Sequence, residues 1–179
     1  MYRHLAVPVV LLLVAVTGCE SVVPTESPLS ASATRRSDAS PTVPFRLVLS
    51  GNANPDFSNG PCDVVNTESG TGVAEHLGRV SWTSNEVANF CVDPSDPSLA
   101  AVTGTIVITA ANGDQLTESY TSTVHADFAA GTLTATGDYQ VTGGTGRFAG
   151  ATGSGTLNVS GSLAPPFAVS GTYTGSIAY

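Results

Sequence analysis

The last third of the chain alternates between two kinds of residue, and this alternation limits the fold more than any other feature. In residues 132–142 the even-numbered positions are mostly threonine, and residues 151–160 and 167–177 follow the same rule with serine and threonine. The opposite positions combine glycine and alanine with larger apolar residues, as in Leu133, Ala135, Gly137, Tyr139 and Val141. A period of two puts each set on one face of a β-strand. We therefore expect strands with an apolar, small-residue inner face and a hydroxylated outer face.

Segments of this kind recur at regular spacing between turn-forming residues. Strands are predicted over residues 45–50, 72–83, 86–92, 102–110, 114–124, 132–142, 151–160 and 167–177, with a polar loop over 51–61 and turns that include Ser84-Asn85 and Asn112-Gly113. Asn-Gly is a strong hairpin signal because both residues accept the positive φ of a type I′ turn. About eight strands without a convincing helix predict an all-β antiparallel sandwich or barrel. The even spacing favours an eight-stranded up-and-down barrel.

The N-terminus has the features of a lipoprotein signal peptide in the required order. A positively charged start precedes an apolar run from Leu5 to Val16, which is too short to span a bilayer, and the run ends in Val-Thr-Gly-Cys. This ending resembles the bacterial lipobox, whose cysteine is acylated before cleavage. We predict a signal peptide over residues 1–18 and lipidation of Cys19, with an ordinary signal peptide and an accidental cysteine as the alternative. The predicted location is the cell envelope, where a lipid anchor holds the protein at a membrane, facing the periplasm or the exterior.

Residues 19–44 follow the predicted cleavage site and are rich in Ser, Thr, Pro and Ala without apolar periodicity. Such a segment cannot bury enough apolar surface to offset the entropy of ordering it, so we expect a flexible tether. The folded domain is then expected over residues 45–179, a length typical of one domain.

The net charge limits the kinds of partner that the protein can bind. The chain has 6 Lys+Arg against 14 Asp+Glu, a formal net charge of −8, and contains no lysine. It therefore offers no basic surface for nucleic acid or anionic lipid headgroups.

The cysteine content predicts one disulfide. Because the lipobox accounts for Cys19, Cys62 and Cys91 remain. In an oxidising compartment these two most simply form a disulfide, with two free buried thiols as the alternative.

No cofactor or metal site is expected from the motifs. Residues 144–149 fit GxGxxA, but a glycine-rich strand follows where the dinucleotide fingerprint needs a helix N-terminus. His125 and Asp127 lie two residues apart and share a strand face, but no third ligand accompanies them.

The candidate cavity residues come from the more apolar faces of the predicted strands. They are His76, Glu118, Tyr120, Tyr139 and Tyr173. If these faces point inward, an unpaired Glu118 carboxyl would have a raised pKa and could act as an acid or base. The alternative is that the strands face the other way, or that His76 and Arg79 pair with Glu118 or Glu75.

Three segments together carry a family resemblance. They are His76-Leu-Gly-Arg79, Ala110-Ala-Asn-Gly-Asp-Gln-Leu116 and Thr142-Gly-Gly-Thr-Gly-Arg-Phe-Ala-Gly-Ala-Thr-Gly-Ser-Gly-Thr-Leu157. The last resembles the glycine-rich turn and strand of the allene oxide cyclase and dirigent barrel superfamily, especially its uncharacterised bacterial members. The resemblance covers roughly residues 72–179 and implies a calycin-like eight-stranded barrel with a central cavity, often a dimer or trimer in the plant relatives. No plant catalytic residue has a matching position here.

Three functions are compatible with these observations. The first is a lipid-anchored barrel that binds a small, mostly apolar ligand. The second is an isomerase- or cyclase-type enzyme that uses the cavity, in which Glu118→Gln should abolish turnover and spare binding. The third is a structural envelope lipoprotein, for which the barrel interior should be filled by its own side chains.

Overall fold

The alternating segments pair in chain order and close on themselves. A computed structural model describes residues 40–179, in which each strand lies antiparallel to the next and the last pairs with the first. The strands are β1 (Val43–Asp56), β2 (Asp63–Ala74), β3 (Gly78–Asn89), β4 (Leu99–Ala110), β5 (Gln115–Asp127), β6 (Thr132–Gly144), β7 (Thr152–Ser162) and β8 (Ala168–Ala178), with one 3-10 turn at Gly146–Phe148. The predicted all-β, eight-stranded up-and-down barrel is confirmed. The predicted signal peptide, Cys19 and most of the predicted tether lie outside the described residues.

The start of the barrel differs from the sequence prediction. β1 continues through residues 51–56, which were predicted as a loop, and β2 occupies residues 63–74. The strand predicted over 72–83 is wrong, because the chain turns at residues 75–77, where His76 has a φ of +66° and the following Gly78 a φ of +73°. The predicted turn at Ser84-Asn85 lies within β3 instead. Ser84 is buried there and donates a hydrogen bond to the Glu68 carboxylate at 3.0 Å, so its polarity reflects an interior contact.

The Asn112-Gly113 hairpin is present with a different turn type. The carbonyl of Ala110 accepts a hydrogen bond from the Gly113 amide, and the Ala110 amide donates to the Asp114 carbonyl, both at 2.9 Å. Gly113 has a φ of +90°, whereas His76 and Phe167 are the only non-glycine residues with positive φ in the part of the chain that the structure describes. The connection is therefore a three-residue turn with glycine in the left-handed position.

The two ends of the barrel are built differently. At the end where β1 begins, the connection between β6 and β7 folds inward and buries Phe148 completely. The Phe148 ring packs against Tyr179 with 4.8 Å between ring centroids, and Arg147 pairs with Asp114 at 3.4 Å. We call this the closed end. At the opposite end, the loops over 57–62 and 90–98 are joined by the disulfide between Cys62 and Cys91, which confirms the predicted pairing.

Inner-face glycines make room for the protein's own aromatic rings. A Cβ atom on Gly155 would lie 2.7 Å from Cε1 of Tyr139, and one on Gly175 would lie 2.6 Å from the Tyr139 hydroxyl. A Cβ on Gly104 would lie 2.6 Å from the Tyr120 hydroxyl. These distances are below any normal contact, so larger residues would collide with the tyrosines and, at Gly155 and Gly175, also with the backbone of the neighbouring strand. Much of the interior is therefore packed with side chains, and free space remains towards the disulfide-bearing end.

Candidate binding cavity

The half of the barrel nearest the disulfide encloses a cavity of about 160 Å³. All eight strands contribute to its lining, which is largely aliphatic, and Phe57, Phe90 and Phe167 contribute from the loops. Phe57 is 64% exposed, so the cavity reaches the surface at this end. A cavity of roughly 150 Å³ in a protein interior holds a benzene-sized molecule. The space is therefore sufficient for a small organic ligand.

One wall of this cavity is polar, and its side chains form a connected hydrogen-bond network. The Asn66 side-chain amide donates to Glu68 Oε1 at 3.1 Å and to Glu86 Oε1 at 3.0 Å. Ser84 donates to Glu68 Oε2 at 3.0 Å, and the Tyr120 hydroxyl donates to Glu86 Oε2 at 2.6 Å. Strand register creates the network, because Asn66 lies opposite Glu86, and Glu68 opposite Ser84, across β2 and β3. Two carboxyl groups are thus held side by side by one amide.

Among the described residues, no positively charged side chain accompanies these two carboxyl groups inside the barrel. Within residues 40–179 the arginines are Arg46, Arg79 and Arg147, and all three side chains are exposed. Burial, followed by the neighbouring charge of Glu86, raises the pKa of Glu68 to about 7. Burial and the Glu86 carboxylate also raise the pKa of Tyr120, so its hydroxyl keeps its proton and remains a donor. The wall is therefore acidic and rich in hydrogen-bond acceptors.

Glu118 lies below the cavity in the packed half of the barrel. Its side chain is 0% exposed, and neither carboxyl oxygen has a hydrogen-bond partner among the described residues. Burial raises the pKa of Glu118 to about 8. The hydroxyl of Tyr139 is also buried without a partner in the same part of the chain, and burial and the Glu118 charge raise its pKa. At neutral pH Glu118 is thus mainly a neutral acid, and it does not line the cavity.

The structure separates the candidate residues into three groups. Tyr120 and Tyr173 line the cavity, whereas Glu118 and Tyr139 are buried beneath it. His76 lies outside the interior: it is exposed in the turn between β2 and β3, and its Nε2 donates to the Pro44 carbonyl at 2.9 Å. The prediction that His76 faces the cavity is wrong. The strand predicted over residues 72–83 includes this turn, so it assigns an inward-facing strand position to a residue that lies outside the strands.

Sequence reasoning missed the polar wall itself. Residues 63–71 combine Asn, Thr, Glu, Ser and Gly, which resembles a loop, so Asn66 and Glu68 were not assigned to a strand. Glu86 was placed at the start of a strand rather than within one. The signal that could have found them is the spacing of two residues that links Val64, Asn66 and Glu68 and continues to the inward-facing Ala74.

A second depression lies on the outside of the barrel. It is larger, about 1040 Å³, and crosses the outer side of β1, β2, β6, β7 and β8. Its lining consists of Ser, Thr, Gly and Asn with Leu133, Ala168 and Val169, and no charged side chain is among the described residues that form it. Because such a surface offers neither enclosure nor strong polar groups, the enclosed cavity is the better candidate for a binding site.

The described residues contain neither a metal site nor a membrane-spanning helix, and known proteins give no guide to function. Among residues 40–179 no three His, Cys, Asp or Glu side chains are grouped closely enough to hold a metal ion. Over the same range the structure contains no helix of the length and hydropathy needed to cross a bilayer. Comparison of the sequence with protein-family models and with curated proteins found no match to either. Within residues 40–179 the cavity is therefore the feature that points most directly to a function.

Proposed function

We propose that this protein is an exported, lipid-anchored β-barrel that binds a small, mostly apolar molecule inside the barrel. The observation that carries the proposal is the cavity of about 160 Å³, which all eight strands line. Protein interiors are usually packed with few voids larger than a water molecule. A space of this size, open at one end and lined mainly by apolar side chains, is typical of ligand sites in the mouths of β-barrels.

The position at which β1 begins supports the same proposal. β1 begins at Val43, at the closed end of the barrel, whereas the cavity is reached from the end that carries the disulfide. A tether that leads from a lipidated Cys19 would therefore join the barrel away from the mouth of the cavity. The resemblance to the allene oxide cyclase and dirigent superfamily agrees with a barrel that holds a small molecule.

The proposal can be tested on the exported chain from residue 20 onward, purified without detergent. Native mass spectrometry should detect a bound small molecule, or uptake of benzene or toluene when these are added. Ala53→Phe places a ring in the cavity and should abolish binding, because Ala53 lines it. Val48→Phe is the matched control, since Val48 lies on the outer side of the same strand and is 43% exposed.

The outcomes separate the proposal from a structural role. Binding in the unmodified chain and in Val48→Phe, together with its loss in Ala53→Phe, would support a ligand-binding barrel. If the chain carries no molecule and takes up neither probe, the proposal is wrong and the protein is better described as a structural envelope lipoprotein.

A further inference from the structure

We propose that the ligand of this cavity carries an amino group, which is protonated at neutral pH and is bound by Glu68 and Glu86, while its apolar body fills the rest of the space. This inference rests on the proposed function, because it names the chemical class of the molecule that the same cavity binds.

The first argument is the unmet acceptor capacity of the two carboxylates. Their oxygens receive hydrogen bonds from Asn66, Ser84 and Tyr120, all of which are neutral groups. An ionised carboxylate offers about four acceptor sites, and here each carboxylate uses only two. The network therefore orients both groups without neutralising them. A charged donor in the cavity would complete their hydrogen bonds and compensate their charge.

The second argument is the fixed orientation of Asn66 beside them. Asn66 is only 8% exposed and lines the cavity, and its Oδ1 has no hydrogen-bond partner in residues 40–179. Its orientation is determined, because its Nδ2 must face the carboxylates of Glu68 and Glu86 in order to donate to both. Asn66 thus holds the two carboxylates together on the cavity wall, and because its Oδ1 is not exposed to the cavity, the acceptors that a ligand can reach there are those of Glu68 and Glu86.

The third argument is what the wall lacks. The Tyr120 hydroxyl is engaged with Glu86, and the described lining contains no arginine, lysine or histidine. A ligand with a carboxylate or phosphate would find like charge and no positive partner. The remaining lining is mainly aliphatic and aromatic, and the rings of Tyr120 and Tyr173 can face an ammonium group favourably. The described residues bring no three His, Cys, Asp or Glu side chains close enough together to hold a metal ion, which favours an organic cation instead.

The titration behaviour of the wall agrees with this assignment. The groups that face Glu68 are Glu86 from β3, Tyr120 from β5 and Tyr173 from β8, and none of them is cationic. Because burial and the Glu86 charge raise the pKa of Glu68 to about 7, its ionised form predominates only above that pH. An ammonium group should therefore bind more tightly at pH 8 than at pH 6, where Glu68 is mainly protonated.

The experiment compares three probes with the same ring: benzylamine, benzyl alcohol and toluene. Their dissociation constants are measured by calorimetry or NMR titration on the chain from residue 20 onward, at pH 8 and moderate salt. A charge-assisted hydrogen bond predicts that benzylamine binds on the order of tenfold to a hundredfold more tightly than benzyl alcohol. Glu86→Gln and Glu68→Gln should each reduce this preference. Asp138→Asn removes the same charge from the exposed outer face of β6 and should leave the preference unchanged.

Each outcome bears on one of the two proposals. If all three probes bind equally, the amine assignment is wrong and the binding cavity stands. If no probe binds, the proposed function itself fails. A preference for benzylamine that Asp138→Asn reduces as much as Glu86→Gln does would indicate attraction by net charge and overturn the assignment. Should the glutamine variants fail to fold, the unmodified protein still decides, because a preference that does not fall between pH 8 and pH 6 contradicts binding by Glu68.

Discussion

Replacing Glu118 by glutamine should stabilise the barrel at pH 8 and leave its stability almost unchanged near pH 5. The two side chains have nearly the same shape, so the substitution removes the ionisable group without creating a void. In the native protein this carboxyl is fully buried, and neither oxygen has a partner within residues 40–179. The titratable groups near this carboxyl are the hydroxyls of Tyr139 and Tyr173, and both stay protonated in this pH range.

The magnitude follows from the two pKa values of this carboxyl. Below its ordinary pKa of 4.5 it is protonated in both the folded and the unfolded chain and does not affect the free energy of unfolding. Above 4.5 the unfolded chain releases the proton and the folded protein retains it, so stability falls by about 1.4 kcal/mol per pH unit. The decline ends near the folded pKa of about 8, and the total is on the order of 5 kcal/mol. The glutamine variant lacks this decline.

The assay is urea unfolding under non-reducing conditions at pH 5, 6, 7 and 8. The chain contains a single tryptophan, Trp82, which is 2% exposed and reports on the opening of the interior. The difference in unfolding free energy between the variant and the unmodified protein isolates Glu118, because Glu68 titrates in both proteins and the buried tyrosines stay protonated in both. Asp138→Asn, on the exposed outer face, is the matched control for the loss of one carboxyl group and should not reproduce the stabilisation expected of Glu118→Gln.

A difference that is the same at pH 5 and pH 8 would refute the reasoning. It would mean that the ionised carboxylate is supported inside the barrel by donors such as bound water, and that this half of the interior is not dry.

Three further predictions concern other parts of the molecule. Replacing Cys62 and Cys91 by serine should lower the free energy of unfolding by ~3–4 kcal/mol in denaturant titrations, since the disulfide closes a loop with a sequence separation of 29; an unchanged midpoint would contradict it. Gly155→Ala should destabilise the barrel by at least ~2 kcal/mol, because its Cβ would collide with the Thr174 backbone carbonyl of β8 and lie 2.7 Å from the Tyr139 ring; an unchanged thermal midpoint would contradict this packing. Cys19→Ala should abolish fatty-acid labelling of the protein in the producing cell and its partition into the detergent phase of a cell extract; retained labelling would contradict lipidation at Cys19.

Regular alternation made the second half of the fold predictable. Threonine and serine on one side and glycine, alanine and larger apolar residues on the other identify β6, β7 and β8 to within about two residues. The first half was harder, because β2 is polar on its inner face as well as its outer face. Because Asn66 and Glu68 resemble loop residues, the sequence does not indicate that β2 begins at residue 63. The predicted strand therefore starts too late and extends through the turn at residues 75–77, which gives His76 the wrong environment.

The cavity lies beyond what a pattern of residue types can show. The sequence alone cannot distinguish an inner-face glycine beside empty space from one beside an aromatic ring of a neighbouring strand. Gly104 and Gly155 both adjoin tyrosines, whereas the free space lies nearer the loops. Strand register decides between the two, and register depends on turns such as that between β2 and β3. The approach of Glu68 to Glu86 is likewise a product of register.

The unlike ends of the barrel divide two tasks between them. Around Phe148 the short connections and buried rings hold the strands together, so changes there should reduce folding before anything else. At the other end the disulfide joins two long loops that stand beside the cavity. New sequences in the loops over 57–61 and 92–98, which flank the two cysteines, could alter which molecules enter while the rest of the barrel stays intact. The fold thus provides a scaffold on which specificity can diversify separately from stability.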